Sequence, residues 1–233
     1  MVDNVKNETF ILISPKKFVI CVNSGLDKKI YERKFLVKEN FNKIDFKKLE
    51  YFLDENIFKI EKKLKDFIKR TSIILDMDIF FQIEIGMKKK NYDSTIDLKN
   101  FSRVLYEARD YCKKTIQSRK VIHILVQKYK FDDKSFLSLP TNIKCKDFSL
   151  DIEFICISEN IINNLEKIFK KYQISVSHIV SGNYVKSFLR NKHDDIFLMA
   201  KDIINGHNPN EVILMNKTPR FRGFFEKFFN FFS

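Results

Sequence analysis

Two patterns of apolar and polar positions alternate along the chain. Runs in which apolar residues are contiguous or alternate predict β-strands, and runs in which they recur every three or four residues predict amphipathic helices. The predicted strands cover residues 9–14, 17–22, 30–37, 71–87, 119–132, 147–157, 174–180 and 210–215. The predicted helices cover residues 45–70, a segment beginning at Ser94 or Asp97 and reaching Cys112, 158–172 and 184–205. This mixture of elements predicts an α+β fold.

The last sixteen residues, 218–233, have the most informative pattern. Thr218 is a suitable N-cap and Pro219 a suitable first residue of a helix. At 100° per residue, all seven phenylalanines from Phe221 onward fall on one side of this helix. A helix with one aromatic face and flanking cations is typical of segments that lie in the membrane interface and bind anionic headgroups. The segment is too short to span a bilayer.

This terminal helix has two other interpretations. It could pack on the protein's own core, although a core helix would use more Leu, Ile and Ala, or it could dock into a partner's groove. We favour the membrane interpretation. The predicted membrane-binding residues are Arg220, Phe221, Arg222, Phe224, Phe225, Lys227, Phe228, Phe229, Phe231 and Phe232.

Composition places the chain among globular proteins. Hydrophobic residues make up 44% and charged residues 31%, which excludes a disordered or low-complexity chain. No run of residues is long and apolar enough to cross a membrane, and the amino terminus does not have the pattern of a secretory signal. The four cysteines are scattered, so we expect no disulfide framework, no zinc site and a cytoplasmic location.

The formal net charge of +13 favours an anionic partner, either nucleic acid or acidic lipid. The basic residues are mostly lysines and form no nucleic-acid-binding motif, so we expect no nucleic-acid partner. The chain also lacks the nucleophile, metalloprotease and Walker motifs of common enzyme classes. His123 lies between Ile122 and Ile124 in a predicted strand, which indicates a hydrogen-bonded structural histidine. We therefore expect no enzymatic activity and no catalytic or metal-binding residues.

The middle of the chain, Ile96–Leu189, resembles the inserted 1C (SHS2) subdomain of the bacterial cell-division actin homologue FtsA. The family writes one strand of this subdomain as Arg-x-Val-x-His-x-x-Pro-Gln-x-Tyr-x-x-Asp. Six residues of this chain fall in register with it, and Val126 replaces the proline. They are Arg119, Val121, His123, Gln127, Tyr129 and Asp132. The segment Phe101–Arg109 resembles the preceding helix, and Asn164-Leu165 fits a later one. The family also ends in an amphipathic membrane-targeting helix.

The resemblance implies a division of the chain into four segments. Residues 1–93 would be a degenerate first actin-like (1A-type) subdomain, and 94–190 the SHS2 (1C-like) subdomain. Residues 191–216 would supply a helix and a strand that complete the first subdomain, and 217–233 the linker and the membrane-targeting helix. The second lobe of the actin-like fold has no counterpart.

The nucleotide site of the family does not survive in this sequence. Its first phosphate loop reads Asp-x-Gly-Thr/Ser-x-Lys, and the best local match is Asn23–Lys28. There Asn23 replaces the acidic residue, Leu26 removes a hydroxyl and Asp27 adds a negative charge. The second, glycine-rich loop is absent, and the chain has only five glycines from which a phosphate cradle could be built. We therefore expect no ATP binding and no other cofactor.

The resemblance implies a non-enzymatic adaptor in cell division, peripherally attached to the cytoplasmic side of the inner membrane. The expected partners are an anionic lipid surface, divisome proteins and further copies of the chain. In the family FtsZ docks on the second lobe, so FtsZ binding would need another surface here. Two alternatives stay open: a pilus-assembly adaptor of the PilM type, which in its family keeps a nucleotide site and lacks such an anchor, and a basic nucleic-acid-binding protein.

Overall fold

The computed structural model describes residues 7–25, 27–37, 43–90, 98–140, 144–189 and 195–213, without the side chains of 98–100 and 189. In these ranges nine strands and five helices form. The strands are β1 Glu8–Ile13, β2 Lys17–Asn23, β3 Lys29–Leu36, β4 Arg70–Leu75, β5 Phe81–Lys90, β6 Arg119–Phe131, β7 Lys134–Phe136, β8 Asp147–Ser158 and β9 Ser175–Ser181. The helices are α1 Phe46–Leu64, α2 Leu98–Thr115, α3 Glu159–Lys171, α4 Gly182–Leu189 and α5 Ile196–Ile204. The predicted α+β class is confirmed.

The first sheet has five strands in the order β3-β2-β1-β4-β9. Strands β1, β2 and β3 form an antiparallel meander, and β4 and β9 continue the sheet parallel to β1. Neighbouring residues of β1 point to opposite faces, and both faces are buried. Ile11 packs with residues of α1 and α3, and Phe10 packs with residues of α4 and α5. The first sheet is therefore the middle layer of three.

The second sheet has four antiparallel strands in the order β5-β8-β6-β7. Helix α2 covers one of its faces, where Val104 and Ala108 pack with Phe154. The opposite face is polar and includes an ion pair of 2.8 Å between Lys130 and Asp151. The second sheet is thus a two-layer unit that leaves one polar face uncovered by any described helix.

The second sheet is an insertion into the first. The chain leaves the first sheet after Leu75, forms β5, α2, β6, β7, β8 and α3, and returns at Ser175. Strands β4 and β9, on either side of this insertion, are direct neighbours. The two units share a core, because Leu125 and Ile155 of the second sheet pack in the cluster that contains Phe10 and Phe197.

The sheets divide the chain differently from the predicted segments. The prediction of one strand over 71–87 is wrong, because Asp76–Phe80 carries the chain from β4 in the first sheet to β5 in the second. Strand β5 therefore lies outside the unit formed by the other described residues of 1–93. Helix α3 and strand β9, inside the predicted segment 94–190, pack in the first unit instead.

Two predicted helices have different bounds in the structure. The helix predicted over 45–70 begins at the N-cap Asp45, whose side chain accepts a 3.0 Å hydrogen bond from Lys48 N. This bond is the main cause that lowers the pKa of Asp45 below its usual value. The helix ends at Leu64 because Lys65 adopts a left-handed conformation, φ 54°. The stretch predicted as one helix over 184–205 contains α4 and α5.

The last predicted strand, 210–215, does not complete the first unit. Within the described residues it is a single bridge between Glu211 and Leu125 of β6, in the second sheet. Hydrogen bonds from Val126 N to Asn210 O (2.9 Å) and from Val212 N to Ile124 O (2.8 Å) fasten it there. The predicted membrane-targeting helix, 218–233, lies outside the described residues.

Candidate functional site: the cleft between the two sheets

A cleft of about 460 Å³ separates the carboxyl end of the first sheet from the polar face of the second. Strands β4 and β9 end side by side here, with Leu75 paired to Ser181. In α/β proteins the carboxyl ends of parallel strands are the usual position of a ligand crevice. The polar residues that line the cleft are Asp78, Gln82, Gln127, Glu153, Ser181, Asn183, Tyr184, Ser187, Asn208 and Asn210.

A buried histidine paired with a partly buried carboxylate lies beside this cleft. His123 Nδ1 is 2.6 Å from Glu211 Oε1, and His123 Nε2 accepts a 3.1 Å hydrogen bond from the main-chain N–H of Ser181. Because Nε2 is an acceptor, the ring proton of neutral His123 belongs on Nδ1, where it is donated to Glu211. The side chain of His123 is buried and satisfied at both nitrogens, in agreement with its prediction as a structural histidine.

Tyr184 completes the network. Its hydroxyl donates to Glu211 Oε2 over 2.9 Å and accepts from Asn208 Nδ2 over 2.8 Å. Its ring centroid lies 4.7 Å from that of His123. Burial, followed by the charge of Glu211, raises the pKa of Tyr184 well above its usual value, so its hydroxyl stays protonated and keeps donating.

The hydrogen bonds of this network connect elements of the fold to one another. A carboxylate on Nδ1 of histidine is also found in hydrolase triads, in which Nε2 takes a proton from a nucleophile. Here the main-chain N–H of Ser181 already donates to Nε2. The hydroxyl oxygen of Ser181 accepts a 3.4 Å hydrogen bond from the main-chain N–H of Tyr184. The network instead joins three separate parts of the chain: β6, α4 and the segment 208–211.

The carboxyl edge of the first sheet is occupied by the protein's own charged groups. Lys186 Nζ of α4 donates to both carboxylate oxygens of Asp76, each over 2.7 Å. Helix α4 reaches this position because its first residue, Gly182, packs directly against the main chain of Asp76 at the end of β4. A Cβ atom at Gly182 would lie 2.8 Å from Cα of Asp76, closer than side chains tolerate.

The segment Asn23–Lys28 is the best local match to the phosphate loop of the family, and its described residues lie at the other end of the sheet. It follows β2, which is antiparallel to β1, so that Asn23 pairs with Glu8 at the amino end of β1. Asp27 has φ 59° and forms a 2.7 Å ion pair with Lys201 of α5. This turn is therefore on the edge opposite the cleft. The predicted absence of ATP binding stays a prediction.

The predicted membrane-binding residues, 220–232, are not among the described residues, and the structure brings other residues together instead. Tyr184, Asn208 and Glu211 had no signal in the sequence, since Glu211 is 88 positions from His123 and neither has a motif around it.

Among the described residues no group of three or more His, Cys, Asp or Glu is arranged to hold a metal ion. In the same ranges, every helix is too short or too polar to cross a membrane.

Comparison with known proteins gives similarity in solved structures only. No family model matches the chain, and no curated protein matches it. One similar structure is the cytoplasmic domain of EpsL, an inner-membrane component of the type II secretion system of Vibrio cholerae. It is 8% identical, with a TM-score of 0.38, and the match covers 77% of this chain and 57% of that one.

Two further structures are similar at the same level. The PilM–PilN type IV pilus biogenesis complex matches at 7% identity and a TM-score of 0.42, over 78% of this chain and 49% of that chain. A Bacteroides thetaiotaomicron protein with an actin-like ATPase fold and unknown function matches at 11% identity and a TM-score of 0.35. The match covers 81% of this chain and 58% of that chain. The chain thus spans between 49% and 58% of the lengths of these three structures.

Proposed function

We propose that the chain is a non-enzymatic, FtsA-like adaptor of cell division. One observation carries this proposal: the second sheet is inserted between β4 and β9, two neighbouring strands of the first sheet. The resemblance in residues 96–189 implies such an arrangement, a 1C-type module inserted into a 1A-type subdomain. When the three-residue strand β7 between β6 and β8 is left aside, elements β5, α2, β6 and β8 also follow the order strand–helix–strand–strand that the name SHS2 describes.

The adaptor role is supported by the surfaces of the inserted module. Its polar face carries a ladder of charged and amide side chains, in which Gln127 donates to Glu153 and Lys130 pairs with Asp151. This face continues into the cleft of about 460 Å³. His123, the nearest candidate base, is already engaged at both nitrogens. The combination fits a surface that binds a division protein better than one that transforms a substrate.

Membrane attachment is the second part of the proposal. The C-terminal helix 218–233 would lie in the interface on the cytoplasmic side of the inner membrane, with its phenylalanines toward the acyl chains and Arg220, Arg222 and Lys227 toward anionic headgroups. Attachment by one such helix is reversible, so several copies in an assembly would bind more firmly.

Vesicle flotation of the full chain tests this proposal. We expect it to float with mixed phosphatidylcholine–phosphatidylglycerol vesicles, less at high salt, and the double variant Phe225→Glu/Phe228→Glu to stay in solution with an unchanged melting temperature. Leu137→Glu, which changes an exposed residue just after β7, is the control and should float normally. If the double variant aggregates or melts much earlier, the helix belongs to the core and the proposed attachment is wrong.

A further inference from the structure

Strand β5 forms one edge of the second sheet. It pairs with β8 along all ten of its residues without a register shift, and no described strand pairs with its other side. Proline, bulges and lysine are the usual devices that protect such an edge. Strand β5 has no proline and no bulge, but it ends in three lysines, residues 88–90. A strand that adds to this edge must therefore bring carboxylates to the lysines.

The two faces of β5 set different requirements for such a strand. On one face the residues are half-buried against the core beneath α2, and they are Ile83, Ile85 and Met87. On the polar face of the sheet the exposed side chains are Gln82, Glu84, Lys88 and Lys90. An added strand must offer apolar residues on the first face and complementary charges on the second, because side chains that lie opposite each other in a sheet are in contact.

Two opposite charges on the polar face of β5 have no counter-ion within the described residues. Glu84 lies opposite Glu153 of β8, which is a like charge, and Lys88 lies opposite Ser149. Neither Glu84 nor Lys88 forms an ion pair in the described ranges. Like charges opposite each other destabilise a sheet. A cation beside Glu84 and an anion beside Lys88, supplied from the free edge, would therefore be favourable.

A glycine, Gly86, lies midway between these two charges. The protein's own fold does not require a glycine there, because Gly86 does not have a positive φ and an added Cβ would have 3.9 Å to its nearest neighbour, Asp151 Oδ1. Glycine inside a strand weakens the strand and often marks a place where another backbone approaches closely. The second sheet supplies no such backbone on the free side of β5, so Gly86 points to a partner outside the described chain.

A second copy of β5 meets all of these requirements. Two identical strands related by a two-fold axis through the sheet are antiparallel, and an axis at Gly86 sets Glu84 of each copy opposite Lys88 of the other. On the apolar face the same register sets Ile85 opposite Met87. If the axis moves by one residue in either direction, Gly86 faces Lys88 or Glu84, and both Glu84–Lys88 pairs are lost.

We propose that two copies of the chain join through their β5 edges, antiparallel and centred on Gly86. The two second sheets then form one continuous sheet, with the α2 helix of each copy on the same face and the polar faces side by side. This contact is smaller than a standard interface, so we expect a dissociation constant on the order of tens of micromolar. The pairing does not depend on the proposed membrane attachment or adaptor role, because copies in solution without lipid would form it.

Charge reversal in the full chain tests this pairing by sedimentation velocity, without lipid, between about 5 and 200 µM protein. We expect a dimer that Glu84→Lys or Lys88→Glu alone weakens at least about tenfold, because each sets like charges opposite each other twice. The double variant should restore the dimer, and a mixture of the two single variants should form mixed dimers. The matched control is Lys90→Glu, which makes the same charge change opposite Gln82 and should leave the dissociation constant within about twofold.

Hydrogen exchange of main-chain N–H groups locates the contact. Exchange in 81–90 should slow as protein concentration rises, whereas exchange in β3, the edge strand of the first sheet, should not change. A chain that stays monomeric overturns the inference, and so does a dimer that Glu84→Lys and Lys88→Glu leave unchanged. Equal weakening by Lys88→Glu and Lys90→Glu also overturns it, because only Lys88 would have a carboxylate opposite. Vesicle flotation of the same variants should stay normal, so failure here leaves the membrane attachment standing.

Discussion

His123 Nδ1 donates to Glu211 Oε1 over 2.6 Å, and this bond joins the second strand of the inserted sheet to the last described segment of the chain. The same carboxylate accepts from Tyr184 at the start of α4. A single side chain thereby holds three elements that pack at the boundary between the two sheets. The polar cluster defines how the inserted sheet sits on the first one, because buried hydrogen bonds are directional in a way that apolar contacts are not.

We predict that Glu211→Ala will strongly destabilise the protein. It leaves two buried donors, His123 Nδ1–H and the Tyr184 hydroxyl, without their acceptor. We expect the free energy of unfolding to fall by roughly 2–4 kcal/mol in urea titrations. The control is Glu84→Ala, on the exposed face of β5, which should change it by less than about 0.5 kcal/mol. Equal effects of the two substitutions would show that the cluster does not hold the units together.

We predict that Gly182 tolerates no side chain. The Cβ atom of Gly182→Ala would meet the main chain of Asp76 at 2.8 Å, so either α4 or the end of β4 must move. We expect a loss of about 1–3 kcal/mol in the free energy of unfolding. Gly86→Ala is the matched control, because its Cβ would have 3.9 Å to the nearest atom, Asp151 Oδ1. A neutral result at Gly182 would contradict the described junction between β4 and α4.

Stability should fall with rising pH above about pH 9. Burial raises the pKa of the Cys21 and Cys156 thiols from 9.0 to about 12. Below pH 9 both thiols are protonated in the folded and the unfolded chain, and their contribution to stability is complete. Between pH 9 and 12 the unfolded chain releases these protons while the folded chain keeps them, so unfolding becomes more favourable.

The slope of this pH dependence can be measured. Each such thiol should lower the free energy of unfolding by up to about 1.4 kcal/mol per pH unit in that window. Urea titrations of the native chain and of Cys21→Ala over this range give the slope. The variant should be less stable at pH 7, because it loses buried volume, and its slope should be shallower. An unchanged slope would mean that Cys21 ionises as freely in the folded chain as in the unfolded one.

Calorimetric titration of the full chain with Mg-ATP should show no binding heat. The turn Asn23–Lys28 lies at the amino end of β1, away from the edge where a nucleotide would bind. At the carboxyl edge, Asp76 and Lys186 are already paired. Binding in the micromolar range would show that this ion pair opens and that the chain keeps a nucleotide site of its own.

Local patterns in the sequence predicted the longest elements closely. The strand predicted over 147–157 is β8, Asp147–Ser158, and the helix predicted over 158–172 is α3, Glu159–Lys171. These predictions succeeded because the spacing of apolar residues records which side of an element faces a core. They failed in 71–87, where one apolar run contains strands of two different sheets. Both strands have an apolar pattern, so the pattern does not show where the first ends and the second begins.

The sequence by itself determined the α+β class, the positions of most strands and helices, and the hydrogen bonding of a histidine within strand β6, His123. Only the tertiary structure decided that β5 belongs with β8, that β9 belongs with β4, and that Glu211 and Tyr184 meet His123. The physical reason is one of range. The periodicity of a segment reports whether a face is buried, but the partner that buries it is selected by packing and hydrogen bonding between residues far apart in the chain.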